Sequence, residues 1–203
     1  MRRLVLLMVL VGSVLPAEAQ AIKRRHLVTR LGFGAGIATV NRTPDSLAVG
    51  ATACGSLAFG FGYATGNRWS FGFLFDRIGA DQPAPAAERI RFTTYQVEVA
   101  YRPWIGDRSA VELSLALGPM VMALKPYDAN LPLVSNRGST RLSVRYLRML
   151  TGTIAVFGEL AQNWSGPGNV VDYEGRALLN SAGEPLLLAW NSQRINAGLA
   201  MRF

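Results

Sequence analysis

The sequence is poor in the residues that most often carry catalysis and metal binding. It has one cysteine, Cys54, and one histidine, His26, in 203 residues. A single cysteine can form neither a disulfide within the chain nor a cysteine-based zinc site. A single histidine removes most of the usual metal and acid–base chemistry. We therefore expect neither a metal nor another cofactor.

Long hydrophobic runs are scarce as well. Only one segment approaches the roughly 20 apolar residues that a spanning helix needs. It is Leu4–Leu15, which follows the charged start Met1-Arg2-Arg3 and precedes the small-residue site Ala17-Glu18-Ala19. This is the layout of a secretory signal peptide. We predict a cleavable signal peptide at residues 1–19 and one mature domain at residues 20–203, with no further domain after it.

Acidic residues are fewer than basic ones, 13 against 21, which gives a formal net charge of +8. A basic chain suggests nucleic-acid binding. The basic residues are not clustered, however, and no helix-turn-helix, zinc or RNA-binding motif is present. The segment Gly32-Phe-Gly-Ala-Gly36 lacks a glycine that the dinucleotide fingerprint requires. We expect no nucleic-acid partner.

An alternation of apolar and polar residues with a period of two runs through the rest of the chain, which is the pattern of β-strands. It recurs in eight segments, and several reach the roughly 9–11 residues with which a tilted strand crosses a bilayer. Their apolar positions fall within 27–37, 57–63, 69–75, 95–101, 111–117, 142–146, 154–160 and 195–203.

The connections between these segments alternate between longer and shorter. We predict them at 41–48, 65–67, 79–89, 103–108, 125–139, 150–152 and 164–185. Outer-membrane barrels have short periplasmic turns and longer external loops. The sequence thus predicts an all-β protein, an eight-stranded antiparallel up-and-down transmembrane β-barrel with both termini in the periplasm.

The two faces of the segments decide between two kinds of barrel. One face is apolar, and the other carries Gly, Ser, Glu and Arg. A lipocalin-like barrel would bury these charges in an apolar pocket, which is costly unless they pair. A membrane barrel places the apolar face against lipid. Aromatic residues near the short turns fit an interfacial girdle; they are Tyr63, Trp69, Tyr101, Trp104 and Phe203.

The predicted lumen face combines glycines with charges. The glycines are at 32, 34, 36, 60, 62, 72, 118 and 198. We expect large side chains from the opposite wall to reach toward them and to form paired networks. The predicted charge network consists of Arg30, Glu98, Arg102, Glu112, Arg145, Glu159, Arg194 and Arg202. This predicts a filled lumen, with a narrow ion path as the alternative.

The sequence resembles a bacterial eight-stranded outer-membrane barrel of the outer-membrane protein A/X type. The resemblance rests on the signal peptide, the eight segments, the loop pattern and the ending Asn196-Ala-Gly-Leu-Ala-Met-Arg-Phe203. It implies a location in a Gram-negative-type outer membrane. It also implies that Phe203 belongs to the C-terminal signal read by the barrel-assembly machinery. It indicates fold and location but little about activity.

The expected role is structural or surface-interaction, without catalysis. Small outer-membrane barrels that modify lipid A use a histidine with a serine and an acidic partner. Here no His-x-Ser pair exists, and His26 falls at the predicted periplasmic end. A narrow channel and a lipid A-modifying enzyme remain the alternatives.

Partner binding is predicted at the outer rim. Arg77 and Arg91 have outward parity and flank the same loop, so they could hold lipopolysaccharide phosphates; snorkelling at the membrane rim is the alternative. The outer loops identify no ligand. Outer-membrane lipid is the expected surrounding, and a monomer is favoured.

Overall fold

The computed structural model describes residues 26–43, 47–66, 68–84, 87–125, 133–179 and 182–203, and its regular structure there is β. Within these ranges no helix is long and apolar enough to cross a membrane. The strands are β1 (His26–Thr43), β2 (Leu47–Thr65), β3 (Trp69–Ala84), β4 (Ala87–Ile105), β5 (Ser109–Lys125), β6 (Leu133–Met149), β7 (Ile154–Ser165), β8 (Gly168–Asn169) and β9 (Leu187–Arg202). The predicted signal peptide lies outside the described residues and stays a prediction.

Eight long strands close into a barrel. Each strand from β1 to β6 pairs antiparallel with the next, β7 pairs with β9, and β9 pairs back with β1. Closure satisfies the backbone groups that a sheet edge would leave bare in hydrocarbon. The predicted all-β, eight-stranded antiparallel barrel is confirmed. We call the end where β1 begins at His26, where the chain ends at Phe203, and where β2, β4 and β6 end at Thr65, Ile105 and Met149 the terminus end, and the opposite end the loop end.

The outer surface of the terminus-end half is apolar. Large hydrophobic side chains on the long strands point outward and are exposed; Phe73 is 66% and Ile195 68% exposed. The alternate residues, many of them charged, are buried inside. This is the arrangement of a membrane barrel and the reverse of a lipocalin. At the terminus end the rings of Trp69 and Tyr101 lie 4.8 Å apart, where the girdle is predicted.

The strands extend farther toward the loop end than the sequence predicts. The predicted loop at 79–89 is wrong, because Gly79 pairs with Arg91 and the β3–β4 ladder continues to Ala84 and Ala87. β1 continues to Thr43 and β2 begins at Leu47, both inside the predicted connection at 41–48, and β6 begins at Leu133, inside that predicted at 125–139. In this extension the inward side chains are apolar, as in Ile78, Ile90 and Phe92. In this extension the apolar residues face inward and the polar residues face outward, the reverse of the terminus-end half. A sequence prediction that requires apolar outward positions therefore ends the strands too early.

The last predicted loop, 164–185, also contains regular structure. β7 ends at Ser165, and β8 then pairs with β9, while Val171 pairs with Val134 of β6. The pair Trp164–Asn191 is followed by Gly168–Leu188, so one residue is inserted at the Gly166-Pro167 interruption. A single insertion is a β-bulge, which moves side chains to the other face. β8 therefore continues the line of β7, and the next residue, Val170, is buried in the interior.

Large side chains fill the space that the lumen glycines leave. A Cβ atom at Gly32 or Gly198 would lie 3.0 or 2.8 Å from Cζ of Phe157, and one at Gly60 would lie 3.1 Å from Nε of Arg30. A Cβ at Gly34 would lie 2.5 Å from the carbonyl oxygen of Ile195. These glycines are needed because their neighbours already occupy the lumen.

We predict that Gly34→Leu impairs folding and that Gly158→Leu does not. A side chain at Gly34 meets Asn196 and the β9 backbone, whereas one at the outward Gly158 meets nothing within 4 Å. Overpacking costs about 1–3 kcal/mol or more. The measurement is the fraction of heat-modifiable, folded protein on gels after refolding in detergent. Equal folded fractions for the two variants would contradict the close packing at Gly34.

Candidate functional site in the lumen and at the outer rim

A buried ion-pair network in the lumen is centred on Arg145 of β6. Its guanidinium donates to Glu98 Oε1 at 3.0 Å, to Glu159 Oε1 at 2.7 Å and also to Glu112. Its Cζ lies 5.6 Å from the ring centroid of Phe157, within the range of a cation–π contact. The three carboxylates come from β4, β5 and β7, so one arginine links four strands.

Two further arginines bind the same carboxylates from the terminus side. Arg30 of β1 donates to Glu112 Oε1 at 3.1 Å and to Glu98. Arg102 of β4 donates through Nε to Glu112 Oε2 at 3.1 Å. Glu112 thus accepts from three arginines, counting Arg145.

A second cluster surrounds Asp76 of β3. Arg194 donates to both carboxylate oxygens of Asp76, at 2.9 and 2.5 Å, which is the bidentate geometry that favours arginine. Arg141 donates to Asp76 Oδ2 at 3.0 Å and to Glu159 Oε2 at 2.5 Å. Asn196 also donates to Glu159, at 3.0 Å. Glu159 therefore joins the Asp76 cluster to the Arg145 cluster.

Asp76, Arg141 and Asn196 are outside the predicted charge network. Each lies on the inward parity of its strand and is at most 1% exposed. That parity is the sequence signal that could have found them. With them, five arginines face four carboxylates, and each carboxylate accepts from at least two donors. Such pairing offsets the high cost of removing charges from water.

Arg202 stands apart from this network. It lies at the terminus end, where its Nε is 2.9 Å from Nε2 of His26 and its Nη1 is 3.8 Å from Sδ of Met149. Among the described residues no ion pair joins Arg202 to a carboxylate. His26 is buried beside it, at the far end from the loops.

At the loop end an apolar cluster fills the lumen. The rings of Phe92 and Trp190 stack with centroids 4.4 Å apart. Val170, just after β8, packs into the cluster, and Leu178 and Leu186 of the same segment pack against it. Its other buried members are Ala38, Val40, Cys54, Ile78, Ala80, Ile90, Met120, Met122 and Leu188. Two lumen fillings of opposite chemistry are therefore stacked along the barrel axis.

Two cavities in the terminus-end half are small. One of about 30 Å³ lies beside His26 and Arg202, and one of about 20 Å³ lies beside Arg30 and Glu98. Since a water molecule needs roughly 10–15 Å³ of such space, each cavity has room for only a few waters. These two volumes leave little free space beside the charged side chains of the terminus-end half.

The predicted lipopolysaccharide contact is on the outer surface. Arg77 and Arg91 are both exposed and point outward. The rings of Phe75 and Tyr95 form a pair nearer the terminus end. Arg77 is the next outward residue after Phe75 on β3, and Arg91 is the second outward residue from Tyr95 on β4. Arg77 pairs with Thr93 and Arg91 with Gly79, so the two arginines are diagonal neighbours. Diagonal neighbours are about 7–8 Å apart, close enough for long side chains to share a ligand.

The C-terminal residue closes the ladder at the terminus end. Phe203 donates its backbone amide to Leu27 at 3.0 Å and accepts from the Leu27 amide at 3.2 Å, and its ring is exposed. In the part of the chain that the structure describes, Cys54 is a free, buried thiol and no three potential ligands gather for a metal ion.

A closed antiparallel barrel, an outward apolar band and a charged lumen together define the fold class of eight-stranded outer-membrane β-barrels. No family model and no curated protein matches the sequence. Among solved structures, the fold is similar to Neisserial surface protein A, with 13% identity and a TM-score of 0.62 over 87% of this chain and 97% of that one. It is also similar to the outer membrane protein OprG of Pseudomonas aeruginosa, with 13% identity and a TM-score of 0.58 over 91% and 98%. The resemblance to this class is confirmed for the fold.

We predict that Arg145→Met destabilises the barrel by about 3–5 kcal/mol, because it leaves buried carboxylates without their shared partner. Arg148→Met, on the exposed face of the same strand, is the matched control, and surface changes of this kind stay within about 0.5 kcal/mol. The measurement is the free energy of unfolding in urea, in lipid vesicles. Similar losses for both variants would show that the network contributes little.

Proposed function

We propose that this chain is an integral outer-membrane barrel with a structural or surface-interaction role and no catalytic activity. The observation that carries the proposal is the filled lumen: an ion-pair network in one half and an apolar cluster in the other. A solid barrel gives a rigid support and leaves the outer surface as the part that meets partners.

The position of His26 supports a non-catalytic role. An enzyme acting on outer-leaflet lipid needs its acid–base group near the loop end. His26 instead lies at the terminus end, buried beside Arg202.

The proposed orientation places both termini in the periplasm. The terminus end has short turns; in the described part of the turn at 66–68, Gly66 adopts a φ of 68°. The strands at the loop end continue beyond the apolar band and are followed by the long segment 166–186. Short periplasmic and longer external connections are usual in outer-membrane barrels.

The proposed partners follow from this orientation. Arg77 and Arg91 would lie at the headgroup level of the outer leaflet and contact lipopolysaccharide phosphates. The last strand, β9, with the exposed ring of Phe203 after it, would be recognised by the barrel-assembly machinery. The barrel wall closes within one chain, which supports a monomer.

A filled lumen predicts that the purified protein shows no steady conductance in planar lipid bilayers. The physical reason is that ions would have to displace both paired charges and tightly packed rings. A matched recording on Arg145→Met tests whether the network seals the lumen. A large, steady single-channel current from the unaltered protein would support the channel alternative instead.

Replacing both Arg77 and Arg91 with alanine is expected to lower the lipopolysaccharide that co-purifies by about tenfold, equivalent to roughly 1.4 kcal/mol of binding free energy. Arg148→Ala, an exposed outward arginine at the terminus end, serves as the control. The measurement is lipopolysaccharide per mole of folded protein after mild detergent extraction. If the double variant retains the wild-type amount, the two arginines only snorkel.

A further inference from the structure

The barrel wall is interrupted at the loop end between β2 and β3. Their last pair is Gly55 with Gly79. Beyond it, β2 remains paired with β1 up to Leu47, and β3 remains paired with β4 up to Ala84. Among the described residues, no pair joins Ala51–Cys54 to β3. We call this opening, between residues 51–55 and 79–81, the β2–β3 seam.

Two other pairs of neighbouring strands stay paired farther toward the loop end. β1 pairs with β9 up to Thr43 and Leu187, and β4 pairs with β5 up to Arg89 and Lys125. In an antiparallel ladder, alternate residues point their N–H and C=O groups at the adjacent strand. At the seam those groups have no strand across from them. The seam therefore presents backbone hydrogen-bond donors on an exposed edge.

The seam does not open into the lumen. The inward side chains beneath it, Cys54, Ile78 and Ala80, are all at most 5% exposed. A ligand at the seam would consequently lie on the outside of the barrel, against the strand edges, and would not pass through the wall.

Small residues form a notch at the base of the seam. Ala35, Gly55 and Gly79 are consecutive partners on β1, β2 and β3, and all three face outward. A Cβ atom at Gly55 or Gly79 would meet nothing within 4 Å. Neither glycine has a positive φ, so their backbone is one that other residues adopt. The glycines therefore leave open space on the surface rather than relieve a turn.

The two rim arginines border this notch. Arg91 is the next partner in the same row, opposite Gly79, and Arg77 lies opposite Leu57 in the adjacent row. Both guanidinium-bearing side chains are exposed. The outward positions beyond the apolar band on β7, β9 and β1 are neutral, among them Gln162, Gln193 and Thr39. Among the described residues, cationic side chains thus border a stretch of the wall that offers both open space and unpaired amides.

These features suit a bulky headgroup that carries phosphate. Arginine binds phosphate bidentately, and backbone N–H groups in concave sites also bind anions. Because Gly55 and Gly79 have no side chains, the headgroup can approach the strand edges closely. Such a ligand must stay in the interfacial layer, because the aromatic part of the apolar band begins two outward rows below the notch, at Phe59 and Phe75.

We propose that the notch formed by Ala35, Gly55 and Gly79, together with Arg77 and Arg91, is a binding site for the phosphorylated headgroup of lipopolysaccharide. The inference rests on the proposed contact of the two arginines with lipopolysaccharide. The present inference adds two parts to that contact. The notch gives space for the headgroup, and the backbone amides of the β2–β3 seam donate hydrogen bonds to its phosphate.

The test fills the notch and leaves the arginines in place. Gly79→Leu and, independently, Gly55→Leu should each lower co-purifying lipopolysaccharide at least about threefold, whereas Gly138→Leu should not. Gly138 is an outward, exposed glycine of β6 with equally open surroundings, so it controls for the added leucine. Heat-modifiable gel mobility identifies the folded fraction, and lipopolysaccharide is measured per folded molecule. Having two notch variants keeps the test decisive if one of them fails to fold.

Different failures have different meanings. If the two notch variants retain lipopolysaccharide while Arg77→Ala/Arg91→Ala loses it, the notch is overturned and the arginine contact stands. If all of these variants retain it, both proposals fall. A further arm compares lipopolysaccharide with its phosphatase-treated form and with phosphatidylglycerol vesicles. Notch-dependent binding should require the phosphorylated lipopolysaccharide; equal binding of phosphatidylglycerol would overturn the choice of ligand.

Discussion

The change of surroundings along each strand, from hydrocarbon to water, is the constraint on which the structure depends. In hydrocarbon the outward side chains must be apolar, so the polar ones of each alternating strand point into the lumen. In water the requirement reverses. The strands cross this boundary without ending, and the apolar face passes from Phe73 and Phe75 outside to Ile78 and Ala80 inside.

The two lumen fillings follow from that reversal. Where lipid surrounds the barrel, the inward face holds charges that must pair, and one guanidinium, Arg145, serves three carboxylates. Where water surrounds it, the inward face can bury rings and methionines, and the stacked Phe92 and Trp190 lie there. The first filling gains specificity from charge pairing across strands, and the second gains stability from hydrophobic burial. Glycines such as Gly32 and Gly198 make room for the larger partners.

The sequence predicts the strands of the terminus-end half of this barrel well, and it predicts much of the loop-end half incorrectly. In the terminus-end half, outward Phe or Leu alternates regularly with inward Gly or Arg. The number of strands, the closure of the barrel and the inward position of Glu98 or Arg145 are therefore predictable. Beyond the boundary the same period of two continues with opposite polarity, and Gly79–Arg89 reads as a polar loop. Asp76 and Arg141 have the right parity, but which charges meet depends on the stagger of strands, which parity alone does not give. The Gly166-Pro167 interruption hides β8 because the bulge shifts the parity.

The outward side chains change from apolar to polar at one level along the barrel. At this level the pairing between two strands can also end without leaving bare amide groups in hydrocarbon. Below it, an unpaired edge would leave amide groups in hydrocarbon at a cost of several kcal/mol each. Above it, water or a headgroup can satisfy them. The β2–β3 ladder ends at Gly55 and Gly79, just past this level, and Arg77 and Arg91 border the same position. A seam lower in the barrel would be unstable, and one higher would be out of reach of membrane lipid. The coincidence of the last ladder pair, the missing side chains and the two cations is therefore what a site for an interfacial phosphate requires.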